Sequence, residues 1–206
     1  MIDLTIGKEN FELPESYDEL SLGRFIELSK VLDKQKEYKS DLRFSLEVLS
    51  KLIGCEVSLL YELSIDDVSL LSEEIKWINE NPKRTKNNKV VIDDKEYLAV
   101  STNKITTGEM ISIESFQQNI TDNRDNLHYV MAILFRPVVD GKVCPLEDDF
   151  DIITERAELF KEKMMIGEVY GPLMGFTSGA SGYSSRSSVR SSILKIKKRK
   201  VNSGKK

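Results

Sequence analysis

Histidine and cysteine are scarce in this chain of 206 residues, and their scarcity excludes several kinds of chemistry. Because the chain has a single histidine, His128, it cannot form catalytic or metal sites that need several imidazoles. The two cysteines, Cys55 and Cys144, lie far apart and belong to no CxxC pattern, so we expect neither a disulfide framework nor a zinc site. Both are expected to be reduced, partly buried thiols.

Long apolar runs are also missing. The longest, residues 129–135, falls far short of the roughly 18 to 20 residues that cross a bilayer, so no membrane span is predicted. Residues 1–6 lack the basic region and apolar stretch of a secretory signal. A cytoplasmic location is the resulting expectation.

Catalytic motifs are absent as well. The chain contains neither of the glycine-rich phosphate-binding motifs GxxxxGK[ST] and GxGxxG. No nucleophile motif lies near His128, and we expect this residue on a helix surface or at an interface. The acidic run at residues 147–151 lacks the ligand spacing and central glycine of an EF-hand loop. We expect these acidic residues to cap the N-terminus of a helix and to interact favourably with the helix dipole. The sequence thus predicts no enzyme, no cofactor and no metal site.

Charge is distributed very unevenly along the chain. Residues 177–206 hold nine basic residues and no acidic one. Since the whole chain has 30 basic and 34 acidic residues, 21 basic residues remain in residues 1–176, whose net charge is −13. We therefore predict an acidic folded body over 1–176 and a flexible tail over 177–206, rich first in Ser and Gly and then in Lys and Arg.

The basic residues of this tail are the candidate contacts to a partner or to nucleic acid. Residues 195–200 place five positive charges within six positions, enough to attract phosphate, an acidic protein surface or anionic lipid. Tyr183 is the tail's one aromatic residue, which argues against base stacking as a means of specific recognition. The candidates are Arg186, Arg190, Lys195, Lys197, Lys198, Arg199, Lys200, Lys205 and Lys206.

The body combines two hairpin patterns with several helical ones. Apolar and polar residues alternate on both sides of turn formers at residues 2–13 and again at 90–100, and we expect the two hairpins to build one small antiparallel sheet. Helical periodicity predicts five helices, over about 21–33, 41–54, 64–81, 123–135 and 151–165. Residues 105–114 are predicted to be irregular or extended. The result is an α+β fold, mainly helical, with a small antiparallel sheet and a disordered basic C-terminal tail.

The order of these segments resembles a family of small morphogenesis proteins of tailed bacteriophages, the tail assembly chaperones. The resemblance covers residues 1–176 and is carried by the hairpin followed by residues 13–28, 105–109, 132–137 and 156–160. It implies a protein without catalytic residues that keeps the long tape-measure protein soluble until tail tube subunits polymerise around it. The expected partner is thus another phage structural protein, in the host cytoplasm, and the oligomeric state stays open.

A second function is compatible with the same sequence. In this alternative, the chain is a structural or packaged virion protein whose basic tail contacts DNA or an acidic protein surface. A chaperone would also need an apolar groove for a client helix, and the faces of residues 22–32 and 127–135 are apolar enough to line one. We expect those faces to form the core instead, so no groove residue is assigned.

Overall fold

The computed structural model describes residues 1–80, 82–83, 88–101, 104–118 and 125–180. The chain divides into two compact units: unit 1 comprises Met1–Thr85 and Glu158–Tyr170, and unit 2 comprises Lys86–Ala157 and Gly171–Lys206. The described residues form eight α-helices and six short strands in antiparallel sheets, which confirms the predicted α+β class. No helix in this described part of the chain is long and apolar enough to cross a membrane.

Unit 1 begins with the first predicted hairpin. Strand β1 (Ile2–Ile6) pairs antiparallel with β2 (Glu9–Leu13), and Gly7 takes the φ of 63° required by the turn between them. Ile6 and Leu13 are buried, and they lie on one face of the hairpin because side chains alternate along a strand. Strand β2 packs against helix α2 (Asp41–Ile53).

Serine N-caps begin three of the four α-helices that lie entirely within this unit. The side chains of Ser21, Ser40 and Ser64 accept hydrogen bonds from the first-turn amides of α1 (Leu22–Asp33), α2 and α4 (Ile65–Glu74). The short α3 (Val57–Leu60) lies between α2 and α4. Leucines at 0% exposure form the core of unit 1, namely Leu13, Leu20, Leu22, Leu28, Leu49, Leu52 and Leu60. Leu42 is 45% exposed because it lies in the first turn of α2, before the buried stretch begins.

An aromatic cluster anchors the segment after α4, where the chain forms a short 3-10 helix over Lys76–Asn79. The Tyr17 ring meets the Trp77 ring edge-on with 4.8 Å between centroids, and the Tyr17 hydroxyl lies 3.0 Å from the Ile78 carbonyl oxygen. Burial raises the pKa of the Tyr17 hydroxyl. Trp77 is the chain's one tryptophan, so its fluorescence reports on the folding of unit 1.

The chain returns to unit 1 near residue 165 by a close crossing of two backbone segments. The Leu22 amide donates to the Met164 carbonyl at 2.8 Å, and the Ile166 amide donates to the Leu20 carbonyl at 2.9 Å. Gly167 lies beside this crossing, and a Cβ placed there would be 2.8 Å from Asp18 Cα. A backbone atom cannot move aside as a flexible side chain can, so glycine is required at this position.

Unit 2 contains a four-stranded antiparallel sheet in the order β3-β4-β5-β6. Its strands are β3 (Lys89–Ile92), β4 (Lys95–Ala99), β5 (Phe135–Val139) and β6 (Lys142–Val143). The helices are α5 (Thr107–Gln118), α6 (Leu127–Leu134) and the start of α7 (Phe150–Lys163). Helix α8 spans Ile166–Ala180, and its residues from Gly171 on belong to unit 2.

Several local predictions are wrong in this unit. The second hairpin forms as predicted, but it joins β5 and β6, and the first hairpin forms a separate sheet. Residues 105–114, expected to be irregular or extended, are mostly helix α5. The helix predicted over 123–135 is shorter, and the chain passes from Leu134 directly into a strand that contains Pro137. Proline usually argues against an inner strand because it has no N–H to donate.

Helix α8 was not predicted, because its glycines and Pro172 disguise the helical pattern. The predicted boundary near Phe176 falls inside this helix, and residues 181–206 lie outside the described residues. The division into a body over 1–176 and a tail over 177–206 stays a prediction.

We predict that Gly167→Ala destabilises unit 1 by about 1 to 3 kcal/mol, because the added methyl overpacks a backbone contact. Urea unfolding followed by circular dichroism measures the change in this variant and in its control. The control is Gly108→Ala in α5, where an added Cβ meets no atom within 4 Å. That variant should retain or slightly exceed the parent stability, since alanine favours a helix by about 0.5 to 1 kcal/mol. Equal midpoints for Gly167→Ala and the parent would contradict the close crossing.

Candidate protein-binding surface

The four last carbonyls of helix α6 all find donors, although the chain turns into a strand immediately afterwards. The Met131 carbonyl accepts from the Phe135 amide, and the Leu134 carbonyl accepts from the Val100 amide at 2.8 Å. The two between them accept from arginine side chains: Ala132 from Arg156 Nε at 3.0 Å, and Ile133 from Arg136 Nε at 3.3 Å. Unsatisfied buried carbonyls are costly, so these two cations stabilise the helix end and its dipole.

Arg156 also forms a bidentate pair with Glu147. Its Nη1 and Nη2 each lie 2.7 Å from a Glu147 carboxylate oxygen, and the Arg156 side chain is 6% exposed. These hydrogen bonds hold the pKa of Glu147 below its usual range, against the opposing effect of desolvation. Arg156 lies in the middle of α7, so its hydrogen bond to the Ala132 carbonyl ties α7 to the end of α6.

Arg136 forms the second buried pair, with Glu109 of α5. The Arg136 Nη2 to Glu109 Oε1 distance is 2.6 Å, and both side chains are almost fully buried. Glu109 Oε2 also accepts from the Thr106 amide at 2.8 Å, while Thr106 Oγ1 accepts from the Glu109 amide at 3.3 Å. The reciprocal bonds between Thr106 and Glu109 form a capping box at the start of α5. The Arg136–Glu109 pair joins this end of α5 to strand β5.

Three aromatic rings, one from each of the helices that these arginines connect, stack against one another. Phe116 of α5 stacks on Tyr129 of α6 with centroids 4.8 Å apart and an interplanar angle of 9°. Phe150, the first residue of α7, lies 5.9 Å from Phe116 and 6.5 Å from Tyr129, again with nearly parallel planes. We call these three rings the aromatic surface. Each ring comes from a different helix, so the surface depends on how those helices pack.

The aromatic surface is open to solvent and borders negative charge. Phe150 is 57% exposed, while Phe116 and Tyr129 are partly exposed. Asp148, Asp149 and Asp151, which we call the acidic rim, flank Phe150 in sequence and are all exposed. Exposed stacked aromatics beside charge are typical of protein-binding surfaces rather than of a core.

The acidic run at residues 147–151 has a structural role at the start of α7, as its sequence predicted. Asp149 Oδ1 accepts from the Asp151 amide at 2.9 Å, and Glu147 pairs with Arg156. Among the described residues, no group of three or more His, Cys, Asp or Glu side chains is placed to hold a metal ion. Cys55 and Cys144 are free, partly buried thiols, as expected.

Other candidate residues have clear outcomes. His128 is 4% exposed, so of the two positions predicted for it, a helix surface or an interface, the helix surface is wrong. Helix α6 is apolar on nearly every side and has almost no solvent face. The apolar faces of α1 and α6 contribute to the cores, as expected. All nine basic candidates, Arg186, Arg190, Lys195, Lys197, Lys198, Arg199, Lys200, Lys205 and Lys206, lie outside the described residues.

Unit 1 has an open groove of about 630 Å³ between its hairpin and the end of α2. Arg24 is one of the residues that line it, but Arg24 Nη1 donates to the Leu52 carbonyl at 3.1 Å and so stabilises the end of α2. Gly54 ends that helix at a φ of 79°, and a Cβ there would crowd the guanidinium at 3.2 Å. These contacts explain Arg24 structurally, so the aromatic surface is the stronger candidate for binding.

Sequence reasoning missed the aromatic surface because its three rings are 13 to 34 positions apart in the chain. One local signal was present: Phe150 is a large apolar residue within an acidic run, where burial is not expected.

Comparisons with known proteins add no further constraint. No family model, curated protein or solved structure matches the chain.

We predict that Arg136→Met destabilises unit 2 by about 3 to 5 kcal/mol, because it leaves Glu109 buried without its cation. The double variant Arg136→Met/Glu109→Gln should lose less, since the buried charge is then removed as well. Urea unfolding followed by circular dichroism measures both. Lys76→Ala, which breaks an exposed pair with Glu73, is the control and should cost less than about 1 kcal/mol. A single variant as mild as this control would contradict the buried pair.

We also predict that the stabilisation from the Glu147–Arg156 pair is lost in acid. The folded-state pKa of Glu147 is lowered, so its contribution is present above the unfolded value of 4.5 and is lost as pH falls through the folded value. Glu147→Gln should therefore lose less stability than the parent between about pH 6 and about pH 3. Urea midpoints across this range provide the test, with exposed Glu158→Gln as the control. Parallel pH curves for Glu147→Gln and the parent would refute the assignment.

Proposed function

We propose that this protein is a non-enzymatic phage assembly factor of the tail assembly chaperone type. It binds a long helical client, such as a tape-measure protein, in the host cytoplasm. The observation that carries the proposal is the aromatic surface, which is exposed although the cores of both units are well filled with apolar side chains. The resemblance in segment order supports the same function.

The chemistry of the surface indicates what kind of client segment it accepts. Stacked rings offer a flat apolar contact for aliphatic side chains, and aromatic faces also attract Lys and Arg cations. The acidic rim adds negative charge beside Phe150. An amphipathic helix with apolar residues on one face and basic residues at its border satisfies both features.

The alternative is a structural or packaged virion protein whose basic tail contacts DNA or an acidic protein surface. It is favoured by one observation, the five positive charges at residues 195–200. The two functions differ in which part of the chain binds. A chaperone requires the aromatic surface, whereas the alternative requires the tail and predicts binding that weakens steeply with salt.

The test is a pull-down from phage-infected cells with full-length protein, with washes in nuclease and high salt and identification by mass spectrometry. Phe150→Ser removes the most exposed ring, and Tyr61→Ser is the matched control, because Tyr61 is 58% exposed in unit 1. A third variant replaces the five basic residues of 195–200 with Gln. Loss of one interfacial anchor typically costs about 2 kcal/mol, or roughly 30-fold in affinity.

We expect the parent, the Tyr61 variant and the tail variant to retain one long helical protein that Phe150→Ser does not. Co-expression should then keep this protein soluble with the parent chain and leave it insoluble with Phe150→Ser. Equal retention by Phe150→Ser and the parent would exclude the aromatic surface as the binding site. If capture needs the tail and is removed by nuclease or salt, the alternative function is correct.

A further inference from the structure

In the chain, the basic tail follows directly after the unit that carries the aromatic surface. Helix α8 ends at Ala180 within unit 2, and residues 181–206 follow it in the chain. Twelve residues, 181–192, connect Ala180 to Ile193, and a peptide of this length spans at most about 40 Å. A compact unit of roughly 100 residues has a radius of gyration of about 13 Å. The span of the connecting peptide exceeds this radius, so residues 193–201 can reach the aromatic surface.

The chemistry of residues 193–201 matches that surface. Ile193, Leu194 and Ile196 supply aliphatic side chains, and the five basic residues of 195–200 lie among and directly after them. The acidic rim supplies three exposed carboxylates, and the exposed ring of Phe150 accepts both aliphatic and cationic contacts. Apolar contact and opposite charge thus occur together on both sides.

We propose that residues 193–201 dock on the aromatic surface of the same molecule, with their basic side chains against the acidic rim. Attachment through a short peptide gives the segment an effective concentration of order millimolar at this surface. A contact too weak to hold two separate molecules together is therefore sufficient within one chain. The inference concerns the isolated protein and does not require the client or the proposed function.

One consequence is competition. A client helix with the same apolar and basic character must displace residues 193–201, so the tail protects exposed rings from unselective contacts until a better ligand arrives. Neutralising the tail charges should then strengthen client binding, in contrast to the virion alternative, where it abolishes binding.

Photo-cross-linking of the full-length chain tests the docking. Phe150→p-benzoylphenylalanine places the cross-linker in the aromatic surface, and Tyr61→p-benzoylphenylalanine is the control, an equally exposed ring beside an acidic residue, Glu62. Irradiation at low protein concentration, followed by peptide mapping, identifies the residues reached. We expect position 150 to cross-link to residues 193–201 within one molecule and position 61 to give at least tenfold less of this product.

Two further measurements keep the outcome decisive if replacement of Phe150 perturbs folding. Ile196→p-benzoylphenylalanine places the cross-linker in the tail instead, and we expect products at Phe116, Tyr129 or Phe150. Replacing the five basic residues of 195–200 with Gln, or adding molar salt, should lower the yield at least tenfold because it removes or screens the charge attraction. Products only between different molecules, an equal yield from position 61, or no tail product from either direction would overturn the proposal.

Discussion

Backbone carbonyls at the end of α6 must find donors in a buried place where water cannot reach them, and the rest of unit 2 depends on how this is done. The helix passes straight into strand β5, so no loop or glycine cap is available. Arg136 and Arg156 supply two of the four donors, and each brings a carboxylate with it, Glu109 and Glu147. Through these pairs the ends of α5, α6, α7 and β5 are fixed to one another.

The same constraint creates the surface that we assign to binding. Phe116, Tyr129 and Phe150 come from the three helices held by the two arginines, and their rings are parallel within 15°. Phe150 follows directly after Asp149, which caps α7. The start of the helix at this point therefore accounts for both the capping role of Asp149 and the exposed position of the Phe150 ring. A rigid polar framework beneath exposed aromatics is suited to binding, because little conformational entropy is lost when a partner arrives.

Local patterns predicted unit 1 well and unit 2 less well, for identifiable reasons. The helices predicted over 21–33 and 41–54 form with nearly the predicted limits. Ser21 is the N-cap of the first and Gly54 the left-handed C-cap of the second, and such caps depend on neighbouring residues only. Residues 106–109 contained a similar signal, the capping box of Thr106 and Glu109, but the missing alternation in residues 105–114 suggested an irregular segment. Pro137 argued against a strand at residues 135–139. In the structure its carbonyl accepts from the Cys144 amide, and strands β4 and β6 pair with β5 on either side.

The sequence by itself determined the α+β class, four of the eight helix starts among the described residues, both hairpins and the contrast between an acidic body and a basic tail. These features follow from residue spacing and composition, which act over short distances along the chain. Only the tertiary structure decided the separate sheets, the burial of His128 and the meeting of three rings on one surface. Such contacts join residues far apart in sequence, and they depend on packing and on buried charges whose partners no local pattern specifies.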